Sequence, residues 1–147
     1  MVAPNKVHML LADDDPLLRR LIGGAFAKRG FDLIYAADGN EAREVTRRLK
    51  PDIVLLDYRM PVFDGLKTAS YLKKEPETKD IPIILLTNED FPLEGEKYLK
   101  DLGVDDYVHK GADFEDILDK VKQVMKAHGR DIDSLVGGAK AQSIAPQ

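Results

Sequence analysis

A doubly wound α/β fold with one five-stranded parallel sheet is predicted by three features of this chain. Short apolar runs alternate with amphipathic helical patterns five times, the order of β-α units that builds a parallel sheet with right-handed crossovers. The runs Val7 to Ala12, Ile53 to Leu56 and Ile83 to Leu86 are apolar nearly throughout, as suits strands covered by helices on both faces. Each run then stops at a polar residue: Asp13-Asp14, Asp57 and Thr87, with Lys110 after the weaker run Tyr107-Val108-His109. In open α/β sheets, ligands bind outside the carboxyl ends of the strands.

The elements follow in order. After the first strand, Asp15 caps a helix that has Pro16 at its first position. Its apolar stripe is Leu17, Leu18, Leu21, Ile22, Ala25 and Phe26, and Gly30 stops it. Phe31 to Ala36 is the second strand. Asp38 and Glu41 form a capping box, with Asp in place of Ser or Thr, for a helix running to about Leu49. Pro51 precedes the third strand, and Asp64-Gly65 turns into a helix from about Leu66 to Lys74. Pro82 introduces the fourth strand. Pro92 and Gly95 sit where the fourth helix should begin, so it is placed from near Glu94 to Gly103. The fifth strand is Asp106 to His109. Asp113 caps the last helix, whose stripe is Phe114, Ile117, Leu118, Val121, Val124 and Met125, ending at Gly129. At this length the expected strand order is the flavodoxin-like 2-1-3-4-5. Arg47-Arg48 and Lys73-Lys74 read as solvated faces, and His8, His109 and His128 lack ligand-like spacing.

Length and composition fit this reading. The 147 residues make one domain, placed at 6–127. Residues 128–147 hold Gly137-Gly138 and, as large apolar residues, only Ile132, Leu135, Val136 and Ile144, and are expected to form a flexible C-terminal tail. The net charge of −4 gives no reason to expect nucleic-acid or membrane binding. With no cysteine, disulfides and thiolate metal sites are excluded. No apolar run approaches the ~18 residues of a membrane span, and Met1 to Lys6 has no signal-peptide core. The expectation is a cytoplasmic protein.

The polar residues at the strand ends define a chemistry. Asp13, Asp14 and Asp57 offer the oxygen ligands that Mg²⁺ prefers. Two such charges ~5 Å apart at an effective dielectric of ~20 repel by roughly 3 kcal/mol. A divalent cation removes that cost and Lys110 offsets part of it. A phosphoryl group on Asp57 would sit between the cation and the ammonium, with the Thr87 hydroxyl donating to one of its oxygens.

These residues resemble the response-regulator receiver family, the phospho-acceptor half of two-component signalling. Four strings carry the likeness, in order: Leu10 to Arg19, containing Asp13-Asp14; Pro51 to Pro61, containing Asp57, with Asp64-Gly65 after it; Ile83 to Thr87; and Gly103 to Lys110. The resemblance covers about residues 6 to 127. It implies that Asp57 is phosphorylated, and that Asp14, Asp57 and the backbone carbonyl of Arg59 bind Mg²⁺, with Asp13 acting through water. It implies further that Thr87 and Lys110 bind the phosphoryl oxygens and that Tyr107 is an aromatic switch coupled to Thr87. The output surface would be the fourth helix, fifth strand and fifth helix. Three positions depart from the pattern. Gly111 stands where proline usually follows the lysine, which predicts a trans, looser loop. Asn88 replaces a small residue and crowds the pocket. Pro92 and Gly95 shorten or shift the fourth helix.

The functional expectation is a stand-alone receiver phosphorylated on Asp57 by a histidine kinase or phosphotransfer protein, acting on a downstream protein. It is not an enzyme beyond its own phosphoryl uptake and slow loss. The alternatives are a pseudo-receiver whose binding ignores phosphate, for which Asn88 and Gly111 speak, or the N-terminal fragment of a longer response regulator. An aspartyl-phosphate phosphatase is disfavoured because Asp13-Asp14-Asp15-Pro16-Leu17 lacks the threonine of such enzymes and no cap domain is present.

Overall fold

The computed structural model describes residues 6–88 and 93–136. In order, the elements are β1 (Val7–Ala12), α1 (Pro16–Lys28), β2 (Phe31–Ala36), α2 (Gly39–Leu49), β3 (Ile53–Asp57), α3 (Gly65–Lys74), β4 (Ile83–Thr87), α4 (Leu93–Leu102), β5 (Asp106–His109), α5 (Phe114–Ala127) and a short α6 (Asp133–Val136). The five strands form one sheet in the order β2-β1-β3-β4-β5, with every neighbouring pair parallel. The predicted fold class and strand order are those observed.

Side chains of a strand alternate between faces, and the core divides accordingly. Met9 and Leu11 of β1 join Leu55, Leu86, Phe26 of α1 and Ile117, Leu118 and Val121 of α5 on one face. Leu10 and Ala12 join Val54, Leu56, Leu85, Ala42 of α2, Leu72 of α3 and Leu99 of α4 on the other. All of β3 and β4 is buried. This two-sided burial is why those runs carry no polar residue before their last position.

The helix starts follow the sequence with one exception. Asp15 accepts from Leu17 N at 2.9 Å, Asp38 from Glu41 N at 2.7 Å and Asp64 from Lys67 N at 2.8 Å. The Glu41 carboxylate closes its box on Ala37 N, at 2.6 Å. Asp113 occupies the cap position of α5, but its side chain makes no cap hydrogen bond. The α1 stripe is also narrower than expected. Leu17 and Leu21 are exposed by 56% and 58%, because α1 turns Gly23 and Phe26 to the sheet instead. Gly23 lies under the Tyr35 ring, where an added Cβ would come within 2.3 Å of the phenol oxygen. Gly95 falls inside α4, whereas Pro92 lies outside the described residues. Val62 adopts a left-handed φ of 70°, a position costly for a β-branched residue.

The segment after Gly129 is not a free tail over its first part. Ile132 and Val136 are each 1% exposed and pack into the α1/α5 side of the core. Arg130 reaches Asp52 at 2.6 Å and the Lys6 carbonyl at 3.3 Å, and Lys122 pairs with Asp133 at 3.2 Å. The spacing of Ile132 and Val136 puts both on one side of a single helical turn, enough to close the bottom of the core. Residues 137–147 of the expected tail lie outside the described residues.

Candidate functional site

Two adjacent strands, β1 and β3, deliver acids to one edge. Asp13 follows β1, where its backbone N–H still pairs with Ala36 O at 3.0 Å. Its Oδ1 then accepts from Asp15 N at 2.9 Å, fixing the turn into α1. Arg19 donates to the Asp13 carbonyl at 2.6 Å. Asp57 is the last residue of β3 and accepts weakly from Arg59 N at 3.3 Å. Thr87 ends β4 and is 1% exposed. Lys110 follows β5, and its N–H donates to Thr87 O at 2.8 Å. The ladder between β4 and β5 therefore sets the position of both Thr87 and Lys110.

The Lys110 ammonium lies 3.0 Å from Asp13 Oδ2 and 3.1 Å from Asp57 Oδ1. Asp13 is fully buried and Asp57 is 4% exposed, whereas Asp14 points outward. Oxygens from Asp13, Asp14 and Asp57 lie within 4.8 Å of one another. Burial first, and then the Asp13 charge, push the Asp57 carboxyl up to about 6, against the lowering contacts of Lys110 and Arg59. Burial pushes Lys110 down, but its contacts with Asp13 and Asp57 together outweigh it and raise the ammonium above its ordinary value. Asp13 Oδ2 is buried and has no aligned hydrogen bond; its approach to Lys110 is an ion pair only. One cation thus serves two buried carboxylates and leaves an oxygen under-satisfied. An all-oxygen set with such an atom fits a hard divalent cation.

The residues line a cavity of about 430 Å³ that also includes Tyr58, Arg59 and Asn88. Every residue singled out from the sequence for the site, Asp13, Asp14, Asp57, Arg59, Thr87 and Lys110, is brought to it. Tyr107 stands apart from the cavity. It packs partly buried against the α2/α3/α4 side of the core, and its phenol donates to Glu96 of α4 at 3.2 Å. His109 lacks ligand-like spacing in the sequence, yet its ring contacts Asn88 and Gly111 at the rim. The signal for this was its place beside Lys110, on the strand paired with Thr87. Among the described residues no peptide bond is cis, Lys110–Gly111 included.

The doubly wound fold is that of an α/β domain with its polar residues gathered at the carboxyl edge of the sheet, and residues 9–122 match the model of the response regulator receiver domain. The chain belongs to the response regulator receiver family. It is 30% identical over 123 residues to the DNA-binding dual master transcriptional regulator RpaA of Synechocystis, covering 84% of this chain and 51% of that protein. It is 32% identical over 124 residues to the phosphate regulon transcriptional regulatory protein PhoB of Pseudomonas aeruginosa, covering 82% and 52%. The chain spans about half the length of these curated relatives. Among solved structures, the chemotaxis response regulator CheY4 of Vibrio cholerae aligns with a TM-score of 0.75 at 25% identity, covering 81% of this chain and 98% of that one. The receiver domain of the sensor histidine kinase PA1611 of Pseudomonas aeruginosa, solved with a magnesium ion in its active site cleft, shares the fold with a TM-score of 0.73 at 24% identity, covering 82% and 98%. Among the described residues no helix is long and apolar enough to cross a membrane.

Proposed function

We propose that the protein is a phosphoryl-accepting switch, phosphorylated on Asp57 with Mg²⁺ held by Asp13, Asp14, Asp57 and the Arg59 carbonyl. The observation that carries this reading is the single Lys110 ammonium shared by two buried carboxylates, one with an under-satisfied oxygen. A bound Mg²⁺ would supply positive charge to neutralise the acids and the incoming phosphoryl oxygens. An Asp57 oxygen attacks the phosphorus of a phosphohistidine or a small acyl phosphate. The new P–O bond forms as the bond to the leaving group breaks, and the leaving group departs with the electron pair. Lys110 turns from Asp57 Oδ1 to a phosphoryl oxygen, and the Thr87 hydroxyl donates to another.

Signalling would follow from Thr87. Its charge-assisted hydrogen bond exists only with the phosphoryl group present and is worth roughly 1.5–3 kcal/mol, enough to shift a two-state balance about 10- to 150-fold. Tyr107 lies one strand away and is already tied to α4 through Glu96. It would carry that shift to the face formed by α4, β5 and α5, where a downstream protein binds. Amide NMR over residues 94–127 tests this. Phosphorylated parent should show shifts that phosphorylated Thr87→Ala lacks; identical patterns would remove Thr87 from the coupling.

Donors would be a histidine kinase or phosphotransfer protein. The stand-alone form, acting in the cytoplasm through protein contacts, is the reading proposed. The coverage of about half of RpaA and PhoB favours a second one, the receiver portion of a longer regulator. An immunoblot of the native protein separates them: a band near 16.4 kDa supports the first, and a clearly heavier one, about 27 kDa for a chain as long as RpaA, supports the second.

A further inference from the structure

We infer that His109 is a positioning residue for phosphoryl transfer, tying the two loops that carry Thr87 and Lys110 across the rim of the site. The inference rests on the reading of Asp57 as phosphoryl acceptor. His109 ends β5 and pairs in register with Thr87, the end of β4. Beyond that pair the regular ladder stops, but the hydrogen bonding continues. Lys110 N donates to Thr87 O at 2.8 Å, and the His109 ring meets the next carbonyl, Asn88 O, through Nε2 at 3.1 Å. Successive carbonyls of the β4–α4 loop are therefore held from β5, the second by a side chain.

The other ring nitrogen holds the opposite loop. Gly111 N donates to His109 Nδ1 at 3.0 Å, and Ala112 N donates to His109 O at 3.0 Å. A backbone N–H can only donate, so Nδ1 is the unprotonated acceptor. Nε2 must then carry the hydrogen and donate to Asn88 O. One neutral imidazole, in one tautomer, satisfies both contacts. The ring is packed closely enough that a Cβ added at Gly111 would lie 3.3 Å from Nδ1.

This reverses the expectation set by Gly111. A glycine after Lys110 lacks the rigidity of a proline and predicts a looser loop. Here the glycine's N–H, which proline would lack, is what His109 uses. The ring's own hydrogen bonds do not reach the metal-ligand set, since Asp13 and Asp14 follow β1 and Asp57 and Arg59 lie at and just after the end of β3. It bears on Thr87 and Lys110, which would receive the phosphoryl oxygens, and on Asn88 at the rim. Loss of the tether should therefore slow phosphoryl uptake and leave cation binding intact.

The test compares the parent with His109→Ala, His109→Gln and His109→Asn. Acetyl phosphate is the donor, and the Mg²⁺ dissociation constant is measured separately by titration. His109→Ala should lower the labelling rate constant about threefold to tenfold, as expected for two partly exposed hydrogen bonds, with Mg²⁺ affinity unchanged. His109→Gln places an amide N–H near Nε2 and His109→Asn an amide oxygen near Nδ1, so each should recover part of the rate. A long-range ¹H–¹⁵N spectrum at pH 8 should show the His109 ring with the hydrogen on Nε2, assigned by its absence in His109→Gln. Labelling of His109→Ala at the parent rate overturns the inference, and so does an equal fall in Mg²⁺ affinity, which would mark general loosening. A parent that takes no label in saturating Mg²⁺ overturns the phosphoryl reading itself, and is distinguished from both by the failure of all four proteins alike.

Discussion

The two ends of the sheet use the same side chain in opposite ways. At the amino-terminal end, Asp52 accepts from His8 N at 2.7 Å and pairs with Arg130 at 2.6 Å. Asp105 accepts from Ile83 N at 2.9 Å and contacts His128 at 2.6 Å. Each acid there has its own cation or imidazole and a backbone donor, and each fastens a chain segment to the strands. At the carboxyl end, Asp13 and Asp57 are more deeply buried and divide one ammonium between them. The first arrangement is complete and holds structure together. The second sets two buried acids against one ammonium, the arrangement on which the proposed phosphoryl switch rests.

Changes at each end should separate these roles. The largest expected effect is at the lower end. Truncation after Gly129 removes Ile132 and Val136 from the core and Arg130 from Asp52. At about 1.5–3 kcal/mol for each fully buried aliphatic side chain, the loss is about 3–6 kcal/mol. Urea unfolding of the truncated protein measures it, and a loss below about 1 kcal/mol would show that residues 130–136 do not help close the core.

At the upper end, removal of a charge should stabilise. Folded Asp57 holds its proton up to about 6, against an ordinary 3.8. The folded state therefore binds the proton more tightly than the unfolded chain. Its contribution to stability is full below 3.8 and falls as pH rises through about 6, by about 3 kcal/mol in all. In metal-free buffer the parent should lose this stability relative to Asp57→Asn between pH 4 and 7. A constant difference across that range would mean Asp57 is not strained by its burial.

Mg²⁺ should relieve the same strain. At 100 times its dissociation constant it adds about 2.7 kcal/mol by mass action. Thermal melts should show the gain in the parent and none in Asp14→Ala, whereas the amino-terminal acids should give no such response. The smallest effect concerns the loop leaving the site. Val62 pays for a left-handed φ, and Val62→Gly removes roughly 1–2 kcal/mol of steric cost while adding about 0.5–1 kcal/mol of chain entropy. A net gain of about 1 kcal/mol or slightly less is expected in urea unfolding.

Much of this was legible in the sequence because the relevant signals are local. Strands buried on both faces read as uninterrupted apolar runs, and the residues that end them line the candidate site. Asp15 and Asp38 announced their caps within four residues, and Asp64-Gly65 announced its turn into a helix. What was not legible depends on tertiary partners. Asp113 has the residue type and place of a cap but no bond, and Leu17 and Leu21 match a buried stripe but face solvent. Lys73 reads as solvated, yet its ammonium is held by the carbonyls of Lys79 and Ile81, at 3.0 and 2.7 Å, and burial lowers its pKa. Ile132 and Val136 carried a four-residue spacing, but a few large apolar residues scattered among Asp, Ser, Gly and Ala are outweighed by composition. The roles of His109 and His128 rest on which residues the fold sets opposite them.

The most direct test is intact-mass analysis after incubation with acetyl phosphate and Mg²⁺. The account predicts a single added phosphoryl group on the parent, absent from Asp57→Asn and absent without Mg²⁺. A label that persists in Asp57→Asn, or a parent that stays unmodified with Mg²⁺ bound, would contradict it.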